Sequence, residues 1–287
     1  MNAILGCQAR MKKILLVALL AIGMVSCAED SSFDDDIDLA PFHFSYRGDV
    51  RSAYHSRAKI VEDRPLNAYD IRAEVELWEF GRLGTRYWGY SSLCNRRQDV
   101  HRRAFNEVDY APYWNYGLNL AEGWTLNNEV TCWWITLPGY REPYRGKTNN
   151  TQYEWWYEGS LSNPYLVPSL LIRRGYQTAA WTYYKIGLSK PLAITDRWTF
   201  TPALFTEHGC ETLYHIRYGD PLSGRHYHSG ILAASPQFSL DWQYSKHLSF
   251  FAIASELFSL NDKAREKIHT PNHRHYFLVQ VGLKLSY

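Results

Sequence analysis

Apolar and polar side chains alternate one by one along most of the chain. That is the period of a β-strand with two unlike faces, not the 3.6-residue period of a helix. Near the C-terminus Phe277, Val279, Val281, Leu283, Leu285 and Tyr287 form one face, and Gln280, Gly282, Lys284 and Ser286 form the other. Tyr69, Ile71, Ala73, Val75 and Leu77 alternate with Asp70, Arg72, Glu74 and Glu76. Trp155, Tyr157, Gly159 and Leu161 alternate with Glu154, Trp156, Glu158 and Ser160. The pattern predicts twelve strands, near residues 42–50, 67–79, 83–94, 109–121, 124–137, 153–162, 165–173, 178–190, 196–206, 229–241, 247–260 and 275–287. Charges on one strand face cannot point into lipid, where each costs about 2–4 kcal/mol at mid-membrane. They can line a wet lumen. Asp70, Arg72, Glu74, Glu76, Glu154 and Glu158 are therefore the candidate lumen residues that set selectivity. Trp78, Phe80 and Trp156 fall on the same inward faces and would narrow the bore.

The joints between these runs add independent information. Long joints at 51–66, 95–108, 138–152, 207–228 and 261–274 alternate with tight ones at 80–82, 122–123, 163–164, 191–195 and 243–245. Only 174–176 is short where a long joint is due. Short periplasmic turns alternating with long extracellular loops are the rhythm of a bacterial outer-membrane barrel. The predicted fold class is all-β: a single antiparallel transmembrane β-barrel of about 12 strands.

Composition sharpens this. The chain has 287 residues, with 11 Trp, 22 Tyr and 12 Phe, far too many aromatics for a disordered polymer. Its mean hydropathy of −0.39 excludes a bundle of membrane helices, each of which needs about 20 consecutive apolar residues. A barrel reconciles the two values, because only alternate residues face lipid. The net charge of +2 gives no reason to expect nucleic acid as a partner. Lys12 and Lys13 precede the apolar run Ile14 to Val25, and Ser26, Cys27 and Ala28 follow it. This reads as a signal peptide over residues 1–27. Met24-Val25-Ser26-Cys27 also resembles a lipoprotein box. The acidic stretch at 28–41 reads as a periplasmic tether, and the barrel as residues 42–287.

The alternating last strand with its terminal aromatic resembles the final strand of bacterial outer-membrane barrels, which implies recognition by the barrel assembly machinery. The runs Asn163-Pro164-Tyr165-Leu166-Val167-Pro168-Ser169, Tyr183-Tyr184-Lys185-Ile186-Gly187-Leu188 and Trp198-Thr199-Phe200-Thr201-Pro202 are similar to the small porin-type families of Gram-negative envelopes. That resemblance covers about residues 110–287 and implies a fold and an outer-membrane location. It implies no functional residue.

Candidate chemistry is sparse. His247-Leu248-Ser249 has the i, i+2 spacing that puts a base and a nucleophile on one strand face, but it follows a tight turn and so lies at the periplasmic end. His228 and Ser229 lie at the other end but point to opposite faces. No catalytic set and no cofactor is expected. His226 with His228, and His273 with His275, could share faces in the long loops, yet no Cys or carboxylate stands at metal-ligand spacing, so no metal site is assigned. Charge is more telling. The long joints with Arg173 and Arg174 hold 19 of the chain's 31 basic residues and 10 of its acids. Arg96, Arg97, Arg102, Arg103, Arg173 and Arg174 are the expected core of this extracellular basic rim. It suits the phosphates of lipopolysaccharide and outer-membrane lipid, and would also draw anionic solutes. The function expected is a narrow passive channel for small hydrophilic solutes. The alternatives are a non-conducting barrel whose basic loops bind a glycan, lipopolysaccharide or protein partner, and a lipid-modifying barrel enzyme.

Overall fold

The computed structural model describes residues 41–56, 59–62, 64–93, 107–136, 151–176, 180–210, 230–260 and 275–287. The signal peptide, Cys27 and the acidic tether lie outside these residues, as do Arg96, Arg97, Arg102 and Arg103, and also His226, His228, Ser229 and His273.

Among the described residues fifteen strands are present: β1 (Phe42–Arg51), β2 (Tyr54–Ser56), β3 (Lys59–Glu62), β4 (Leu66–Glu76), β5 (Arg82–Ser92), β6 (Glu107–Ala121), β7 (Trp124–Thr136), β8 (Thr151–Ser162), β9 (Val167–Gly175), β10 (Trp181–Ser189), β11 (Leu192–Ala193), β12 (Trp198–Gly209), β13 (Gly230–Gln243), β14 (Leu248–Ser259) and β15 (His275–Ser286). Twelve of them form one antiparallel barrel in the order β1, β4 to β10, β12 to β15, and back to β1. Two seams deserve naming. β10 pairs with β12 from Tyr183↔Gly209 to Ser189↔Ala203. β1 pairs with β15 from Ser45↔Ser286 to Arg51↔Gln280. With both seams made, no barrel strand is left as an edge, which is what a membrane interior demands, since lipid offers no hydrogen-bonding partner.

The pairing register carries one parity rule around the whole wall. On β4 the even residues Leu66 to Glu76 face in, which sets the even residues of β5, the odd residues of β6 and β7, and the even residues of β8. The outward set is apolar and exposed: Leu83, Trp114, Leu118, Val130, Trp155, Ile186, Leu188, Leu204, Phe238 and Phe277. Aromatic side chains gather at both rims. Trp198, Trp242 and Phe250 stack at the end with the short turns, with ring centroids 5.5–5.6 Å apart. Tyr110, Trp134 and Tyr153 do so at the other end, at 5.6 and 6.5 Å. An apolar outer band between aromatic girdles around a polar interior is the architecture of an outer-membrane β-barrel. On β15 the register places Phe277, Val279, Val281, Leu283 and Leu285 on the outer face, and Tyr287 closes the seam through backbone bonds with Phe44.

Local chemistry sets the short turns. Gly123 adopts φ 72°, and one residue either side of the Glu122–Gly123 pair lies in a strand. Asn163 Oδ1 accepts from the amides of Tyr165 and Leu166 at 2.9 and 3.0 Å. Ser245 Oγ accepts from those of His247 and Leu248 at 3.3 and 3.2 Å. Side chains of this kind mimic the missing strand partner and fix the turn from within.

Sequence and structure differ in three places. The second barrel-wall joint begins earlier than the pattern implies: β4 ends at Glu76, and a 3₁₀ turn runs from Trp78 to Phe80. Trp78 at φ 52° and Gly81 at φ 83° leave the pleat, so alternation no longer applies. Trp78 and Phe80 are consequently exposed at the rim (83% and 65%), not in the lumen. Second, the long joint after β1 is not all loop, for it holds the β2–β3 hairpin. Third, Arg173 is a strand residue of β9 that pairs in register with Trp156 and faces inward, while Arg174 faces outward. Arg51, Glu107 and Glu207 also belong to strands.

Introducing charge on the two faces checks this register. Phe238→Lys and Val281→Lys place a cation against lipid and are expected to cost about 2–4 kcal/mol each. Ser239→Lys, one residue along on the inward face, should leave folding intact. Heat-modifiable gel migration of the refolded variants reads the result, and equal responses from Phe238→Lys and Ser239→Lys would refute the parity.

Candidate functional site

The lumen wall is a ladder of opposite charges. β4 supplies Asp70, Arg72 and Glu74, β5 supplies Arg82 and Arg86, and β7 supplies Glu129. Arg86 Nε donates to both oxygens of Asp70, at 2.9 and 3.0 Å. Arg72 donates to Glu129 at 2.9 Å and lies 3.8 Å from Asp70. Glu74 accepts from Tyr113 Oη at 2.6 Å and Asn115 Nδ2 at 2.9 Å, with Arg82 at 3.4 Å. On β1, the other neighbour of β4, Asp49 takes Arg51 at 2.6 Å, and further along the wall Lys284 of β15 reaches Asp241 of β13 at 3.1 Å. Asp70–Arg86 and Glu74–Arg82 span neighbouring strands and Asp49–Arg51 adjacent inward positions, while Glu74–Tyr113 and Lys284–Asp241 reach over one strand and Arg72–Glu129 over two, all along the inward face.

Cations that face the lumen also rest on aromatic rings. Arg173 lies 3.6 Å from the Trp156 centroid, Arg47 4.3 Å from Phe251, Lys185 4.2 Å from Phe205 and Arg86 5.0 Å from Trp133. A ring face holds a cation without neutralising it.

Toward the long joints the bore narrows. Leu66, Ala68, Trp88, Tyr90, Ala111, Trp133 and Ile135 form one buried cluster, with Tyr54 and Trp156 packed on it. Trp181, Tyr183, Leu232, Ala233 and Leu257 form a second. The β2–β3 hairpin lies between them. Tyr54 packs 5.3 Å from Trp88 and 5.1 Å from Tyr90 on one wall. His55 Nε2 meets Glu207 at 3.4 Å, and Ser56 Oγ accepts from Arg173 at 3.4 Å, on strands β12 and β9 of the opposite wall. The hairpin therefore crosses the lumen. Burial, with the Glu107 carboxylate beside it, pushes the Tyr54 phenol above its ordinary range, so the hydroxyl stays neutral. Beside Glu207 the β12–β13 pairing is bulged, and Leu232 and Ala233 of β13 are both buried there.

Toward the short turns the lumen opens into a cavity of about 540 Å³ lined by Asn115, Asn127, Glu129, Glu158, Ser160, Ser169, Lys185 and Phe205, among others. Of the residues singled out from sequence, Asp70, Arg72, Glu74, Glu154 and Glu158 lie on the inward face. Glu76 sits at the mouth with His43 at 3.0 Å. Glu154 is fully buried and accepts from Trp156 Nε1 at 2.8 Å, so it belongs to the narrowed half. Sequence alone passed over Arg86, Glu129, Lys185 and Glu207. Their inward parity was legible for β10 and β12, but a single charge among apolar neighbours gave no cue to partnership.

The hydrolase candidate does not assemble. His247 Nδ1 donates to the carbonyl of Ser286 at 2.6 Å, and its ring stacks on Tyr287 at 4.8 Å. Among the described residues no three or more His, Cys, Asp or Glu side chains cluster to hold a metal ion.

A scan against protein-family models and a search of the curated proteins find no match. Solved structures do resemble the chain. The KdgM porin in complex with disordered oligogalacturonate shares 9% identity at a TM-score of 0.47, over 85% of this chain and 99% of that one. The NanC porin shares 13% at 0.46, over 84% and 98%. The outer membrane phospholipase A of Escherichia coli shares 13% at 0.43, over 85% and 92%. At such values no residue role and no substrate passes from them to this chain.

The charge ladder makes a clear prediction for stability. Arg86→Met leaves Asp70 without its principal partner in a half-buried wall and is expected to cost about 1–3 kcal/mol, the range for stranding a polar group with water still in reach. Adding Asp70→Asn should recover much of that loss. Thermal unfolding of both single variants and the double variant measures the coupling.

Proposed function

We propose that the protein is a narrow, passive outer-membrane channel for small hydrophilic solutes, with the short turns in the periplasm and the long joints outside. The observation that carries this reading is the lumen: a continuous inward face of paired charges and polar groups that opens into the 540 Å³ cavity. An interior built only to support a wall has no need of so many charges, because each must be compensated to stay inside. The crossing hairpin restricts solute size, as a bore narrowed at one level lets only small molecules pass. Ion preference follows from the inward charges, with Asp70, Arg72, Glu74 and Glu158 on the wall and Glu76 at the mouth. The basic rim at Arg96, Arg97, Arg102, Arg103 and Arg174 serves lipopolysaccharide phosphates and secondarily concentrates anions. The C-terminal strand engages the assembly machinery.

A second reading has its own support. Two aromatic clusters and the hairpin fill the half of the lumen nearest the long joints, which suits a closed barrel that displays basic loops to a surface glycan or protein. No observation favours the lipid-modifying enzyme.

Conductance of the refolded protein in planar bilayers decides between the first two. The channel reading expects small, resolvable openings, and a larger conductance when residues 54–62 are replaced by a short Gly-Ser link. Glu74→Gln frees Arg82 and should move the reversal potential toward anions. A folded protein that stays silent in both forms would end the channel reading and leave the displayed-loop reading standing.

A further inference from the structure

The lumen cavity contains two charged groups that the ladder leaves out. Among the described residues Glu158 on β8 accepts no hydrogen bond and joins no ion pair, although Glu129, its register partner on β7, is held by Arg72 at 2.9 Å. Among the described residues Lys185 on β10 has no oxygen within ion-pair distance; its ammonium rests 4.2 Å from the centroid of Phe205. Its own register partner, Glu207, is engaged by His55 of the crossing hairpin instead. The Phe205 ring takes that position because it lies over Gly187, where a side chain would leave it only 2.5 Å of room.

Register fixes how these two charges stand. Glu158 pairs with Leu171 and Leu171 pairs with Lys185, so the three side by side span β8, β9 and β10. Strands lie about 4.8 Å apart, which sets Glu158 and Lys185 about 10 Å apart at the backbone, and among the described residues no ion pair joins them. Between and below them the cavity offers the amide of Asn127 and the hydroxyls of Ser160 and Ser169. The site thus presents one anion, one cation, an apolar floor between them, and neutral groups that both donate and accept hydrogen bonds.

We propose that this cavity is a binding site for short zwitterionic peptides, with the ligand's α-ammonium on Glu158 and its carboxylate on Lys185. A purely anionic solute would leave Glu158 facing a like charge, and a purely cationic one would do the same to Lys185. A neutral sugar would satisfy neither. A chain of two or three residues has charged ends at about the required spacing, and its amides match Asn127, Ser160 and Ser169. The inference rests on the reading of the lumen as a solute path, and it names the solute class.

The test is calorimetric titration of the refolded, full-length protein in detergent. The probes are tri-alanine, its N-acetyl form, its C-terminal amide, and sucrose. Tri-alanine should bind, and each blocked form should bind about tenfold more weakly, the scale of one charge-assisted hydrogen bond. Glu158→Gln should abolish the preference for the free amine over the N-acetyl form while keeping the preference for the free carboxylate. Lys185→Met should do the converse. Heat-modifiable migration establishes that both variants fold. Equal binding of all three peptides, binding of sucrose as tight as tri-alanine, or no binding to a folded protein would overturn the proposal. Conductance of the same preparation separates the two readings. Conduction without peptide binding removes this inference alone, whereas peptide binding without conduction removes the channel and keeps the site.

Discussion

The whole structure depends on one constraint: inside a bilayer, every backbone N–H and C=O must find its partner within the protein. A sheet meets that demand only by closing on itself, and here the β10–β12 and β1–β15 seams complete the circle. Closure then dictates the rest. Once the strands are paired, side chains alternate strictly between lipid and lumen. A single register decides the environment of every residue in the wall. The backbone bonds set the geometry, and the hydrophobic outer band merely satisfies it.

Closure creates a second demand on the interior. A ring of twelve strands encloses more space than one layer of side chains fills, and the polar residues placed there are partly removed from water. Charges in that setting are tolerable when compensated. Arg86 between Asp70 and Glu129, Arg72 on Glu129, and Lys284 on Asp241 show how the compensation runs from strand to strand. Where no acid is in reach, a ring face takes the cation, as Trp156 does for Arg173. The charges that join no ion pair among the described residues are the informative ones, Glu158 with no ring beside it and Lys185 resting on Phe205. Glu158 and Lys185 are held in place by their strands yet left with their hydrogen-bonding capacity unused, and that is the condition of a group that waits for a solute.

The hairpin ties the two halves of the lumen together. Its Tyr54 is gripped by rings on β5, while His55 and Ser56 meet Glu207 and Arg173 on the far wall. Glu207, the register partner of Lys185, is also met by His55 of the hairpin. The element that narrows the bore is thus also the one that shapes the charge pattern of the cavity beneath it.

Much of this architecture was written in the chain. Period-two alternation gave the strands and their faces, because lipid on one side and water on the other impose opposite chemistry on successive residues. The count of barrel strands and the short turns at Gly123, Asn163 and Ser245 follow from local sequence, since turn conformation is fixed by the residues within it. Alternation failed at Trp78 and Phe80, where positive φ at Trp78 and Gly81 breaks the pleat. It was silent on the β2–β3 hairpin, whose few residues carry no periodic signal and whose place depends on walls distant in sequence. The partnerships lay beyond the sequence for the same reason. Asp70 and Arg86, Arg72 and Glu129, His55 and Glu207 meet across 16, 57 and 152 positions of sequence, the first on paired strands and the others across the enclosed lumen, and only the closed sheet decides which charges meet.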